Sequence, residues 1–372
     1  MPTTPDPVAD PTQGTGEGLA LNRVHAVGGV SAGPGTVVVT GVCGFIGSHL
    51  ALTLLGRGAR VIGVDRRSLE AAERPGSPLR CLRDQPGFRL LTASVEDPEV
   101  ARYLSGASAV VHLAAATDVA ASWGAGFVEH AASVLSTQRL LDRCCREGVG
   151  RVVVASSSHV YGPVGGGLAR EDLVVEPTSP YGVAKLAAER LAVAYACRPG
   201  SRMSGVALRL FTAFGPGCHP AMVVPRLFTA AATGKPMPLY GDGTVLRTWT
   251  YVSDLVEATI RAAALPMKAG DAVVVNVGGP DQASLLTVAE LVGAIVGRPV
   301  PLEAAGDRAG DAAGLRADLT RARQLLGFTP RLGLNEGLLL QWRHMTTGRD
   351  PDPSAGHDGA PLGVTRPEVI GG

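Results

Sequence analysis

Lysine is nearly missing from this chain. Of 34 basic residues only Lys185, Lys235 and Lys268 are lysines; the others are arginines. Charge of either sign is not in surplus: the net charge is +1. That removes the electrostatic case for nucleic acid or an anionic membrane as partner. No Cys-x-x-Cys occurs, and Cys43, Cys81, Cys144, Cys145, Cys197 and Cys218 lack the spacing of metal ligands. No metal is therefore expected, and the thiols read as reduced and mostly buried. No apolar run approaches the length of a membrane-spanning helix. The N-terminus has no basic region followed by an apolar run, so no signal peptide is read and the protein is placed in the cytoplasm.

What is present is enough chain, 372 residues, for one large or two modest domains with a sizeable core. Residues 1–35 and 348–372 are rich in Pro, Gly and polar residues without apolar period, and read as disordered tails. Between them, short apolar runs alternate with helical patterns. Val37 to Thr40, Arg60 to Asp65, Arg89 to Thr92, Ala109 to Leu113, Arg151 to Ser156 and Val206 to Phe211 read as strands. That alternation predicts an α/β fold, a doubly wound parallel sheet with helices on both faces. Prolines 216, 220, 225, 236 and 238 then break the rhythm, which predicts a smaller C-terminal lobe.

Gly41, Gly44 and Gly47 follow the first strand and open a helix over Ile46 to Gly56. Glycine suits a tight turn, close approach of backbone to a pyrophosphate, and packing of helix on strand. The helix N-terminus offers unpaired N–H groups and the positive end of its dipole. Three glycines alone serve any strand-to-helix turn. Here Asp65 ends the next strand eighteen residues after Gly47. An acid there hydrogen-bonds adenosine ribose hydroxyls and repels a 2′-phosphate, which favours NAD over NADP. Arg66 and Arg67 argue the other way, since both suit a phosphate.

Downstream, Ser179 is a helix cap and Pro180 the first helical residue, which sets Tyr181 and Lys185 one turn apart on one face. A cation beside a phenol stabilises phenolate and lowers the tyrosine pKa toward working pH. The chain that so rarely uses lysine has one four residues after this tyrosine. The strand ending in Ser156-Ser157-Ser158-His159 supplies hydroxyls for the same substrate oxygen. Together these features predict redox chemistry at an alcohol carbon.

From about Thr36 to Met345 the chain resembles the extended short-chain dehydrogenase/reductase family, in its nucleotide-sugar epimerase/dehydratase branch. The resemblance is carried by the glycine turn, His112-Leu113-Ala114-Ala115, the serines before Val160-Tyr161-Gly162, and Ser179-Pro180-Tyr181-Gly182-Val183-Ala184-Lys185. It continues through Leu208-Arg209-Leu210-Phe211-Thr212, Tyr240-Gly241-Asp242-Gly243, and Arg247 leading into Thr250-Tyr251-Val252-Ser253-Asp254. It implies a Rossmann domain over 36–212, with 241–275 returning to it, and a substrate lobe over 213–240 and 276–347. It implies Ser157, Tyr181 and Lys185 as catalytic residues. For NAD it implies Gly41, Gly44, Phe45, Ile46, Gly47, Asp65, Arg66, Leu113, Ala114, Ala115, Tyr181 and Lys185. For the nucleoside-diphosphate sugar it implies Ser158, His159, Thr212, His219, Arg247 and Asp311. A homodimer is the implied assembly.

UDP-glucuronate 4-epimerase-like members look most similar, through Ala121-Ser122-Trp123-Gly124 and Phe214-Gly215-Pro216. Such members usually carry arginines where Ala120, Gly217 and His219 stand, which favours a neutral sugar over a uronate here. The usual asparagine and adenine-side acid are Ser133 and Ser94. In related dehydratases an Asp-Glu pair fills the positions of Ser158 and His159, and uronate decarboxylases carry Glu at the latter. An NAD-dependent 4-epimerase is therefore expected. The alternatives are an NAD(P)H-consuming 4-ketoreductase and a non-catalytic nucleotide-sugar binding protein; intact Ser157, Tyr181 and Lys185 argue against the second.

Overall fold

A computed structural model describes residues 35–73, 77–164, 167–307, 310 and 314–347. The expected tails, apart from Gly35, and Asp311 lie outside these residues. Five parallel strands, β1 (Thr36–Thr40), β2 (Arg60–Asp65), β3 (Phe88–Thr92), β4 (Ala109–His112) and β5 (Arg151–Ser157), are joined by strands Ser204–Leu210 and Ala272–Val277. Across the sheet the order is Ala272–Val277, Ser204–Leu210, β5, β4, β1, β2, β3, the Rossmann order with one strand added. The run expected to end at Phe211 stops at Leu210, and Thr212–Phe214 starts a separate strand. Strand Ala272–Val277 carries the main sheet past residue 275.

The strands are apolar on both faces because both are covered. Val37, Val39, Val61, Val111 and Val153 face one core with Leu50 and Leu54 of helix Phe45–Gly56. Val38, Val64, Val110, Val152 and Val154 face the other, against Leu140 and Leu141 of helix Phe127–Arg146. That helix lies beside helix Pro180–Cys197, where Gln138 Nε2 donates to the Tyr195 hydroxyl at 2.6 Å. On the first face helix Val252–Ala264 packs by helix Phe45–Gly56, and Arg57 pairs with Glu257 at 2.5 Å.

Asp281–Ala283, Arg247–Tyr251 and Thr212–Phe214 form a separate three-stranded sheet. Trp249, Phe214 and Tyr251 pack edge to face within it. Buried polar groups tie the main sheet to the short strand pair Leu168–Ala169 and Arg316–Ala317 and the residue after it. Tyr161 donates its hydroxyl proton to Asn276 Oδ1 at 2.7 Å, and the Asn276 amide donates to the carbonyls of Ala169 and Asp318 at 2.8 and 3.1 Å. None of the six cysteines forms a disulfide; Cys43, Cys144 and Cys218 are buried, whereas Cys81 and Cys197 are exposed. The expectation of mostly buried thiols holds for half of them, because the helices that carry Cys81 and Cys197 turn those positions to solvent.

Candidate active site

The chain reverses direction across the sheet between β1 and β4, and their carboxyl ends open a crevice. Ligands of open α/β sheets bind at such switch points. Gly41 has φ of +70°, and a Cβ there would lie 2.7 Å from the Ala114 amide nitrogen. A Cβ on Gly47 would lie 2.3 Å from the Gly41 carbonyl oxygen. The turn is thus closed to any side chain and exposes bare backbone. Helix Phe45–Gly56 starts one residue earlier than expected. Its cap is Gly44, with no side-chain hydrogen bond and no acid in the first turn. Its leading N–H groups therefore remain suited to a phosphate.

Asp65 is fixed beside this turn. Its carboxylate accepts from Cys43 N–H at 3.0 Å and from Arg67 N–H and Nε at 3.0 and 3.3 Å. A carboxylate has about four acceptor sites, so one remains for a ribose hydroxyl. Arg66 is exposed, and Arg67 is spent on Asp65. The glycine cradle, the bare helix start and the strand-end acid fit NAD.

Leu113, Ala114 and Ala115 follow β4. Behind them Thr40 Oγ1 lies 2.7 Å from His112 Nδ1, and His112 Nε2 lies 3.0 Å from Thr137 Oγ1. Thr137 donates to the Ser133 carbonyl at 2.8 Å, so it accepts from Nε2–H and the tautomer follows. Burial first, and the charge of Lys185 second, pull the His112 pKa down to about 3. The imidazole is neutral, a structural brace between β1, β4 and the following helix.

On the other side of the cavity stand the groups expected from the end of β5 and from helix Pro180–Cys197. Ser179 caps the helix, its Oγ accepting from Gly182 N–H at 3.1 Å. Ser157 is buried beside the Tyr181 phenol and accepts from His159 N–H at 3.2 Å. Lys185 Nζ lies 5.9 Å from the Tyr181 ring centroid and donates to the Ala155 carbonyl at 3.3 Å. Burial pulls the Lys185 pKa down to about 8. The expected lowering of the Tyr181 pKa is not found. Burial raises it, with the nearby Ser157 hydroxyl opposing. The reason is geometric: Lys185 points its ammonium at a carbonyl rather than at the phenol oxygen.

The structure brings Ser157, Ser158, His159, Tyr181 and Lys185 together. Thr212 and Arg247 lie on the smaller sheet, where Thr212 is in register with Trp249. His219 is exposed on the loop beyond, its Nδ1 accepting from Ala221 N–H at 3.2 Å. The sequence reading missed His130, a buried histidine that lines the same cavity as His112, Tyr181 and Lys185. Its only sequence signal is a polar residue inside the first turns of a packed helix.

A doubly wound parallel sheet with a glycine cradle at its switch point, and a serine, tyrosine and lysine facing it, defines a dinucleotide-binding protein of the Rossmann class. The family model for the NAD-dependent epimerase/dehydratase family matches residues 37–278, and the chain belongs to that family. It is similar to the uncharacterized UDP-glucose epimerase YtcB of Bacillus subtilis, 36% identical over 310 residues, 81% of this chain and 95% of that one. The structure of MoeE5 in complex with UDP-glucuronic acid and NAD superposes with a TM-score of 0.77 at 40% identity, covering 84% of this chain and 99% of that one. The UDP-glucuronic acid 4-epimerase of Bacillus cereus, with UDP-glucuronic acid and NAD, superposes with a TM-score of 0.77 at 30% identity and the same coverage. Among the described residues no helix is long and apolar enough to cross a membrane.

Proposed function

We propose that this protein is an NAD-dependent nucleoside-diphosphate-sugar epimerase acting at carbon 4. The observation that carries the reading is the Ser157–Tyr181–Lys185 cluster beside the glycine cradle, with Ser158 and His159 where dehydratases place a carboxylate pair. NAD, when bound, supplies a hydride acceptor and donor. Gly41, Gly44, Phe45, Ile46 and Gly47 would hold its phosphates, Asp65 its adenosine ribose, and Leu113, Ala114, Ala115 and Lys185 its nicotinamide half. Tyr181 takes the proton of the carbon-4 hydroxyl and later returns one to the carbon-4 oxygen on the other face. Ser157 steers that oxygen through the hydroxyl it shares with Tyr181. Lys185 is the cation that favours phenolate once the proton is taken. Ser158, His159, Thr212, His219 and Arg247 are the proposed sugar-nucleotide contacts.

The reading predicts a redox-neutral reaction. Sugar nucleotide supplied alone, in multiple turnovers, is expected to yield its carbon-4 isomer with no accumulation of reduced nicotinamide. UDP-glucose and UDP-glucuronate assayed side by side are expected to show higher kcat/KM for the neutral sugar. The motive is that Ala120 and Gly217 present no charge, and an unpaired carboxylate costs several kcal/mol to bury, on the order of the ionic penalty. Product formed only with stoichiometric NAD(P)H would replace the epimerase by a ketoreductase. A preference for the uronate would discard the charge argument alone.

Asp65→Ala is expected to weaken NAD roughly ten- to a hundredfold, the worth of a charged hydrogen bond of about 1.5–3 kcal/mol. It also leaves Cys43 N–H in the glycine turn without its acceptor. Discrimination against NADP should relax in the same variant. Equal affinities of the unmutated protein for NAD and NADP, by calorimetry, contradict this role for Asp65.

We further propose a cytoplasmic homodimer. Val128 and Leu135, one heptad apart on helix Phe127–Arg146, and Val183 on the neighbouring helix are exposed apolar groups on adjacent helices. Analytical ultracentrifugation decides the dimer; a monomer at micromolar concentration rules it out.

A further inference from the structure

The Tyr181 ring meets two imidazoles edge to face. His159, just beyond β5, meets it edge to face with centroids 5.5 Å apart and planes at 82°. His130, from the start of helix Phe127–Arg146, meets it at 5.9 Å and 87°. His130 is 3% exposed. A buried polar ring costs desolvation where an aliphatic side chain at the same helical position would gain from burial. The backbone of Asp118, in the segment that leads from β4 into the helix, lies near enough to the imidazole to favour its charged form. The ring edge forms a wall of the cavity shared by His112, Ser133, Thr137, Tyr181 and Lys185.

Proton transfer is not the role this environment suits. The ring is closed to solvent. Burial is the chief cause holding it below the usual histidine range; the Asp118 carbonyl pulls the other way, and the charge of Lys185 adds to the burial. A neutral His130 leaves Lys185 as the cation beside the phenol. The proposed reaction also returns a proton to the substrate in each cycle, so no path to solvent is required.

We infer that His130 is a positioning residue for Tyr181: with His159 it packs against the phenol ring and holds its place and its plane, so that the phenol oxygen stays by the reacting hydroxyl and its O–H, which lies in the ring plane, keeps its direction. Its kinetic consequence rests on the epimerase reading; its geometric consequence does not. Edge-to-face contacts are directional, and a misplacement of about 1 Å in a reacting group costs on the order of a hundredfold in rate.

The test uses the full chain with two substitutions that both fill the space. His130→Leu keeps bulk and removes the ring; His130→Phe keeps a ring edge. For His130→Leu, kcat is expected to fall about ten- to a hundredfold, with KM and copurifying NAD unchanged. His130→Phe is expected to recover most of the rate. A leucine variant within about twofold of wild type, or a phenylalanine variant no faster than it, overturns the inference. A readout without turnover is 19F NMR of protein labelled with 3-fluorotyrosine, the Tyr181 signal being assigned by its loss in Tyr181→Phe. A held ring gives two resolved signals for the two ring orientations in wild type and in His130→Phe. His130→Leu is expected to merge them, and two unchanged signals in that variant overturn the inference. If wild type turns over no sugar nucleotide, the epimerase reading fails and the NMR comparison still decides the role of His130.

Discussion

Tyr181→Phe is expected to lower kcat by about a hundred- to ten-thousandfold, the usual worth of a positioned general acid–base, while fold and NAD content stay unchanged. The substitution removes one oxygen. The ring keeps its edge-to-face contacts with His130 and His159. Ser179 still caps the helix, and Lys185 still donates to the Ala155 carbonyl. Ser157 loses the phenol oxygen beside it and keeps its bond from His159 N–H. Because binding groups are untouched, KM should move far less than kcat. Turnover and bound NAD are measured on the same preparation. A rate within about threefold of wild type removes Tyr181 from the proton-carrying role.

Glu189→Ala is expected to destabilise the fold by about 3–5 kcal/mol, the cost of leaving the partner of a buried ion pair uncompensated. Glu189 is 0% exposed and Arg209 1%. The pair is bidentate, with Arg209 Nε and Nη2 donating to Glu189 at 3.0 and 2.7 Å. Ser156 Oγ also donates to this carboxylate, at 2.7 Å, and the guanidinium lies 4.6 Å from the Tyr161 ring centroid. The network sits directly under the strand end that presents Ser157, and Glu189 is one turn beyond Lys185. Removing the carboxylate therefore strips partners from Arg209 and Ser156 together. Equilibrium urea unfolding reads the loss, and a change below about 1 kcal/mol contradicts it. The double variant Glu189→Leu with Arg209→Met, which removes both charges, is expected to recover much of the stability, since hydrophobic replacement of a buried pair is often neutral or better.

The glycine turn, the strand-end acid, the capped helix and the Tyr-x-x-x-Lys spacing were legible in the sequence because each is local. A turn that admits no Cβ, a cap three residues from its N–H, and two side chains one helical turn apart are written within a few residues. The parallel sheet was legible for a related reason: strands buried on both faces must be apolar throughout, and alternation with helices leaves little choice of topology. Ala272–Val277 is just as apolar, yet its place at the sheet edge comes from pairing with Ser204–Leu210, about seventy residues away. Thr212 likewise leaves the main sheet for the smaller one because it pairs with Trp249.

The acidity of Tyr181 shows where local reasoning ends. The sequence placed a lysine one turn away and predicted a lowered pKa. The fold half-buries the phenol and turns the ammonium to Ala155, and the loss of water raises the pKa instead. The partners of Glu189, the neutral state of His112 and the placement of His130 against Tyr181 are of the same kind. Residue types and short spacings determined which groups this protein carries and the turn that receives a dinucleotide. Burial, and contacts between residues distant in the chain, belong to the tertiary structure alone, and they decide which of those groups hold a charge, which hold a proton and which hold another side chain in place.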